Sequence, residues 1–456
     1  MNRTDWNRFI DKETNSGTVP EGKRKYLHFD RKINFGSSAD SQKKFLSDPE
    51  KVSSKSFYPF IKQVIRTPRY KVVKRGEGKR EMDIKDREIY YASHFDSLVY
   101  SYYSVLLDRK YEELITGKKV SNSITAYRKL GKNNVDFAKE AFDYIKNKGE
   151  CVALAFDLTG FFDNLEHKIL KEAWCDVLKT DSLPEDHYNI FKTLTKFSFV
   201  LKKDLDTEFS DRISSNHSYR ICSPAEFREK IRAKGLVQTN PNKFGIPQGS
   251  PMSAVLSNIY MLEFDKEMCN LIDDKKALYR RYSDDILLVV DNENLSSVKN
   301  SFYELVDKFE LESKDDKECI RFFKLNNGVL TSFDNAGYRK SLQYLGFTFD
   351  GSRTLIRSSS ISRYYRKIRN NVRLTVKKTF GKKSRSSKVS KRKLYKRFTH
   401  KGIRGKSISN FIGYVYKSSE KMGEKDIRSQ VSGHVDKLNE AIEKKYDKIR
   451  NKKSSN

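Results

Sequence analysis

Two adjacent carboxylates stand between two short apolar runs in Ala277-Leu-Tyr-Arg-Arg-Tyr-Ser-Asp-Asp-Ile-Leu-Leu-Val-Val290, and this stretch constrains the rest of the chain. Leu278 to Tyr282 and Ile286 to Val290 are rich in aromatic and β-branched residues, so each reads as a strand. The polar Ser283-Asp284-Asp285 between them reads as the turn of a hairpin. Adjacent aspartates at a tight turn offer oxygen-only ligands, which suit Mg²⁺ or Mn²⁺. A second carboxylate upstream would complete a two-metal phosphoryl-transfer centre.

That second carboxylate follows the apolar run Cys151-Val-Ala-Leu-Ala-Phe156, a buried-strand pattern ending at Asp157. The chain then turns through Gly160 into an expected helix over 164–178, with an N-cap at Asp163 or Asn164 and an apolar face of Leu165, Ile169, Ala173, Trp174 and Val177. Between the two acidic elements, Phe244-Gly-Ile-Pro-Gln-Gly-Ser-Pro-Met252 forms a glycine-bearing turn, and Pro251 stands where a first-turn proline opens a helix over 251–272.

Three elements in this order carry a resemblance. Phe156-Asp157 with Phe161-Phe162-Asp163, then Gly245-Ile-Pro-Gln-Gly-Ser250, then Tyr282-Ser-Asp-Asp285 resemble palm motifs A, B and C of reverse transcriptases. The resemblance implies an α+β right-hand polymerase, with fingers, a palm built on an RRM-like antiparallel sheet, and an α-helical thumb. It divides the chain into an N-terminal extension (1–56), fingers (57–150), palm with motifs A to E (151–350) and a basic helical thumb (351–456). By the same resemblance Asp157, Asp284 and Asp285 are the catalytic carboxylates. With the Leu158 carbonyl they would hold two Mg²⁺ ions, or Mn²⁺ in their place.

The dNTP site follows from the same motifs. Phe162, five residues after Asp157, matches the bulky ring that excludes the ribose 2′-hydroxyl, which makes dNTPs rather than NTPs the expected substrates. Gln248 matches the residue that monitors the nascent pair, with Gly249 allowing close backbone approach. Strands Tyr70–Lys74 and Arg80–Ile84, joined by Arg75-Gly-Glu-Gly-Lys79, read as a hairpin whose Lys74 and Arg80 match triphosphate-binding positions. Lys317 resembles the motif D lysine, a general acid for pyrophosphate, and Gln343-Tyr-Leu-Gly-Phe-Thr-Phe349 the primer-grip turn.

Composition points the same way. A net charge of +31 on 456 residues calls for a polyanionic partner. No apolar run approaches ~20 residues, which argues against a membrane span. Five scattered cysteines without any CxxC read as free thiols in a reducing cytoplasm. Residues 1–56 form a polar, poorly periodic arm, either an ordered extension or an RNA contact, and 184–242 is either palm elaboration or a docking surface. His94 reads as structural, since no partner spacing supports a metal.

From Gly351 to Ser419 the chain holds 22 lysines and arginines and no acidic residue. Ser362 to Val376 has helical apolar spacing at Tyr365, Ile368, Val372 and Val376. Arg363, Arg366, Lys367, Arg369, Arg373, Lys377 and Lys378 line its other faces as RNA-backbone contacts. Lys377 to Lys393 continues as a basic low-complexity loop, and a last helix spans 424–450. The phrases His28-Phe-Asp-Arg31, Phe57-Tyr-Pro-Phe60 and Tyr91-Ala-Ser-His-Phe-Asp96 resemble stand-alone bacterial antiphage reverse transcriptases, in particular the class-two group that copies a partner noncoding RNA. That resemblance implies a noncoding RNA as template and scaffold, DNA as product, and action in the cytoplasm. Untemplated or protein-primed DNA synthesis by the same aspartates, and a maturase-like RNA-binding role, are the alternatives.

Overall fold

The computed structural model describes residues 3–14, 26–33, 35–72, 80–214, 219–273, 276–313, 318–380, 389–402 and 410–454. Its strands are β1 (Phe60–Val72), β2 (Arg80–Tyr91), β3 (Cys151–Asp157), β4 (Ser198–Leu201), β5 (Gln238–Thr239), β6 (Leu278–Tyr282), β7 (Asp285–Val290), β8 (Cys319–Asn326), β9 (Val329–Phe333), β10 (Leu342–Tyr344), β11 (Phe347–Phe349) and β12 (Thr354–Ile356). They form sheets of order β2-β1-β4-β5, β6-β7-β3-β8-β9 and β10-β11-β12. The chain divides into two compact units. One holds Met1–Tyr127, Leu158–Asn270 and Asn300–Ser313; the other holds Arg128–Asp157, Leu271–Lys299 and Lys314–Asn456.

The second unit is built on the antiparallel five-stranded sheet. β3 is central because it is apolar on both faces: Cys151, Val152, Ala153, Leu154 and Phe156 are all buried. One face of the sheet, with Ala153, Leu278, Leu287, Val289 and Phe323, shares a core with β10–β12 and with the helix Asn134–Lys148. That helix starts at Asn134 because Asn133 and Asp136 form a reciprocal capping box.

The basic helix runs over Ser358–Thr379 and buries Tyr364, Ile368, Val372 and Val376 in the same core. The stripe therefore begins at Tyr364 rather than Tyr365, because strict i, i+4 spacing back from Ile368 lands on 364. Phe398 is buried as well, and Tyr395 donates to Asn439 Oδ1. The expected closing helix is two pieces, Lys425–Ser429 and His434–Ser454. The loop 381–388 lies outside the described residues.

In the first unit, β1 and β2 form a long antiparallel ribbon that pairs Ile61 with Tyr91 at one end and Val72 with Arg80 at the other. Where described, the segment 184–242 is folded: it supplies β4, parallel to β1, and β5, so it widens the ribbon into a sheet. Its Leu205, Phe209, Ile221, Phe227 and Ile231 form a core with Phe29 and Ile61.

The N-terminal arm is ordered where described, with helices Arg3–Thr14, Phe35–Leu46 and Pro49–Ser53 and with Phe9, His28 and Phe29 buried. Three separate phrases meet around its middle. Asp30 accepts from the backbone N–H of His94 and Phe95 and from His94 Nδ1. Asp96 accepts from the Tyr58 N–H at 2.9 Å and pairs with Lys55 at 2.5 Å. His94 is thus a buried structural residue, its other ring nitrogen 3.0 Å from the Tyr26 carbonyl oxygen.

Candidate active site

The acidic edge belongs to the second unit. Tyr282 pairs with Asp285, so β6 and β7 are joined by only two residues, and Ser283 takes φ 62° to close the turn. Primed two-residue turns demand that sign at their first central position. Asp157 ends β3 directly across from Asp285, with Phe156 across from Ile286. An antiparallel register thereby brings together carboxylates far apart in the chain.

The electrostatics follow from that crowding. Asp285 is pushed up to about 7, first by the water that surrounding protein displaces, then by repulsion from Asp284 and Asp157, against a smaller opposing pull from Arg357. The side chain keeps an exposed outer surface, so the displacement comes from protein packed behind and beside it. Crowded carboxylates of this kind are the donor set a divalent ion requires. Among the described residues, no three or more acidic, His or Cys groups are already drawn together in ligating geometry. Leu158 is buried and forms a bridge with Ser313.

Of the residues matched to the nucleotide site, Arg80, Phe162 and Gln248 lie in the first unit. Phe162 sits in a short 3₁₀ turn, Phe161–Asp163, its ring 5.4 Å from that of Phe161. The Phe162 carbonyl accepts from Ile246 N–H at 2.9 Å, and the Leu165 carbonyl accepts from Gly245 N–H at 2.8 Å. His167 donates its backbone N–H to the Lys243 carbonyl, and its Nε2 lies 2.8 Å from the Gly245 carbonyl oxygen. The turn after Asp157 and the Gly245–Gly249 turn are thus laced together. At Gly245, φ 88°, an added Cβ would stand 2.8 Å from the Asp163 carbonyl oxygen.

This lacing moves a helix start. The helix is His167–Leu178, capped by Glu166 through the N–H groups of Lys168 and Ile169, and Asp163 and Asn164 are spent in the turn. The expected helix 251–272 is likewise two, Ser253–Tyr260 and Leu262–Ile272, with Pro251 in the turn ahead of the first.

Gln248 is partly buried, and its carbonyl accepts from Tyr90 N–H at 2.8 Å. Gly249 has φ 117°, and an added Cβ would lie 2.7 Å from the Tyr90 carbonyl oxygen. Its small size is therefore required by the end of β2, a different reason from close approach to a base pair. Asp163 is raised by burial and by Glu88, which also accepts from the Tyr90 hydroxyl and pairs with Lys62. Neither Tyr90 nor His167 belongs to a motif; Tyr90 directly precedes Tyr91-Ala-Ser-His-Phe-Asp96, and His167 lies inside the helix expected over 164–178.

Lys74 and Lys317 lie outside the described residues. Arg80 opens β2 across from Val72, so its backbone position is given. On the basic helix Arg363, Lys367, Arg369, Arg373, Lys377 and Lys378 are exposed and Arg366 half-buried, with no acidic residue among them. β10 and β11 form the hairpin expected for Gln343–Phe349, turning at Leu345 (φ 45°) and Gly346 (φ 92°).

Among curated proteins none matches this chain. Of solved structures, it is similar to apo telomerase from Candida tropicalis truncated from its C-terminal domain, at 13% identity and TM-score 0.40, covering 72% of this chain and 61% of that one. It is also similar to telomerase from Candida albicans in complex with a TWJ fragment of telomeric RNA, at 12% identity and TM-score 0.41, covering 93% and 73%. This chain thus spans about three-fifths of the first telomerase. The family model for reverse transcriptase (RNA-dependent DNA polymerase) matches residues 103–349, more than half the chain and the whole stretch from before Asp157 to the end of β11. The chain therefore belongs to the reverse transcriptase family, the RNA-dependent DNA polymerases.

Proposed function

We propose that this protein copies an RNA template into DNA at the edge formed by Asp157, Asp284 and Asp285. The observation that carries this reading is the register that sets Asp157 across from Asp285 at the end of a buried sheet. Asp157, Asp284, Asp285 and the Leu158 carbonyl would hold two Mg²⁺ ions. Bound there, the pair supplies a sharpened primer 3′-hydroxyl and a stabilised leaving pyrophosphate. The crowding expressed in Asp285 supports this, since a cation relieves it.

The remaining roles belong to the chain itself. Phe162 selects dNTPs by pressing on the sugar, and its main chain is held for this by Ile246. Gln248 contacts the nascent pair from a turn tied to Tyr90. Lys74 and Arg80 hold the triphosphate, and Lys317 protonates pyrophosphate. Arg363, Arg366, Lys367, Arg369, Arg373, Lys377 and Lys378 retain RNA through its phosphates, which gives affinity without sequence preference.

The template in this reading is a partner noncoding RNA, and the setting is antiphage defence in the bacterial cytoplasm. Support comes from the three phrases shared with antiphage enzymes, which converge in one place around Asp30 and Asp96. Asp284→Ala with Asp285→Ala should abolish DNA synthesis while RNA still co-purifies. Sequencing the nucleic acids that co-purify from infected cells tests both parts. Aspartate-dependent DNA without complementary RNA would replace templated copying with untemplated synthesis, and synthesis persisting in the double variant would remove the active-site assignment.

A further inference from the structure

Tyr344, at the end of β10, is 4% exposed, and its hydroxyl is buried without a hydrogen-bond partner among the described residues. A buried hydroxyl left unmatched costs stability, and phenylalanine would fill the same space without that cost. Groups kept against stability concentrate where function needs them.

The sheet register says what this phenol faces. Tyr282 pairs with Asp285 and Arg280 with Leu287, so Leu278, Arg280 and Tyr282 share a face with Asp285, Leu287 and Val289. Asp285 pairs with Asp157, Leu287 with Ala155 and Val289 with Ala153, which adds Ala153, Ala155 and Asp157 to that face. Tyr344 belongs to the same core as Leu278, Leu287, Val289 and Ala153, and its strand packs against β3 and β8 of this sheet. It therefore lies against the face whose acidic end is Asp157 and Asp285. Burial raises its ionisation far above the ordinary phenol range, and the negative charge of Asp285 is the next largest cause. Of the other charged groups acting on it, Glu140 is paired with Lys132 at 2.5 Å and Arg280 offers only donors.

We propose that the Tyr344 hydroxyl is a donor held in reserve for Asp285, directly or through one water, and that Tyr344 is the positioning residue that fixes this aspartate when primer, nucleotide and metal assemble. The proposal rests on reading Asp157, Asp284 and Asp285 as the polymerase site. Donation from Tyr344 occupies one lone pair of Asp285 and sets its rotamer, leaving the remaining oxygen directed at the Asp157 edge. The hydroxyl is unmatched in the resting chain because Asp285 takes its working rotamer only on assembly.

The test uses full-length Tyr344→Phe beside wild type and a Glu140→Gln control. Thermal midpoint in EDTA, Mn²⁺ binding by electron paramagnetic resonance with a chain-terminated primed RNA and dNTP present, and single-nucleotide incorporation on a primed RNA are measured together. The expected result is an unchanged or raised midpoint, with Mn²⁺ affinity and kcat each lower by about tenfold, the weight of one hydrogen bond to a charged group. The KM for dNTP stays as in wild type, and Glu140→Gln leaves all three as they were. Wild-type Mn²⁺ binding and kcat in Tyr344→Phe would overturn the proposal. So would a lowered midpoint accompanying the loss, since the hydroxyl would then be a structural bond. Synthesis surviving in the double aspartate variant would instead overturn the active-site reading beneath it.

Discussion

Replacing Gly249 with alanine separates two costs that the structure keeps apart. At φ 117° a side chain is strained whatever the space around it, by roughly 1–3 kcal/mol. The new methyl would also stand 2.7 Å from the Tyr90 carbonyl oxygen and 3.1 Å from Ile89 Cγ2. Real contacts begin near 3.0 Å, so the end of β2 must retreat by at least 0.3 Å. That retreat strains the bond from Tyr90 N–H to the Gln248 carbonyl, now 2.8 Å. Losing it adds roughly 1–3 kcal/mol. Gly328, φ 76° with nothing within 4 Å, supplies the control: Gly328→Ala incurs only backbone strain, ~1–2 kcal/mol. Because a chain of two compact units need not unfold in one step, the local readout is hydrogen exchange at the Tyr90 amide. Gly249→Ala should lower its protection by about 30-fold, the equivalent of ~2 kcal/mol, and should lower dNTP incorporation. Gly328→Ala should leave the Tyr90 amide as protected as before. Equal protection at Tyr90 in wild type and Gly249→Ala would refute the argument that this glycine serves the junction with β2.

The other predictions are more direct. Phe162→Ala should let primer extension with NTPs rise by at least tenfold relative to dNTPs, checked by competition in single-nucleotide incorporation; unchanged discrimination would remove Phe162 as the gate. Replacing Arg369, Arg373 and Lys377 with glutamine should reduce the salt slope of RNA binding by about 2–3, roughly one for each phosphate no longer neutralised, and an unaltered slope would contradict an RNA path along this helix. Burial lowers His28 from 6.5 to about 3, with its Nε2 3.3 Å from the Tyr91 carbonyl oxygen, so the folded chain keeps it neutral where the unfolded chain binds a proton. Stability is therefore complete above pH 6.5 and falls as pH drops from 6.5 towards 3, by up to ~1.4 kcal/mol per pH unit for this group. Denaturant melts of His28→Gln at pH 7 and 5.5 should show a pH dependence shallower by about 0.6 proton on average, ~1.3 kcal/mol over the interval; the same dependence in both chains would count against this.

Local pattern made much of this protein legible. Cys151 to Asp157 and the two strands around Asp284 show in their apolar runs, because a strand central to a sheet is apolar on both faces. The basic helix shows in its i, i+4 stripe and its absence of acid. Three short motifs in order carried the resemblance to the family whose model matches residues 103–349. What periodicity does not encode is the partner of a segment distant in the chain. That Asp157 faces Asp285 is a matter of register. Likewise, backbone bonds over 162–167 and 243–246 spend Asp163 and Asn164 in a turn and pass the helix cap to Glu166. Gly249 is small because Tyr90 stands beside it, and Asp30 and Asp96 gather three phrases whose proximity no spacing announces. Which segments become strands, helices and acidic turns depends on neighbours a few residues away, so the order of residues alone carries that much. Which carboxylates, carbonyls and glycines meet is settled only in the folded chain, because packing between segments far apart in sequence sets those contacts.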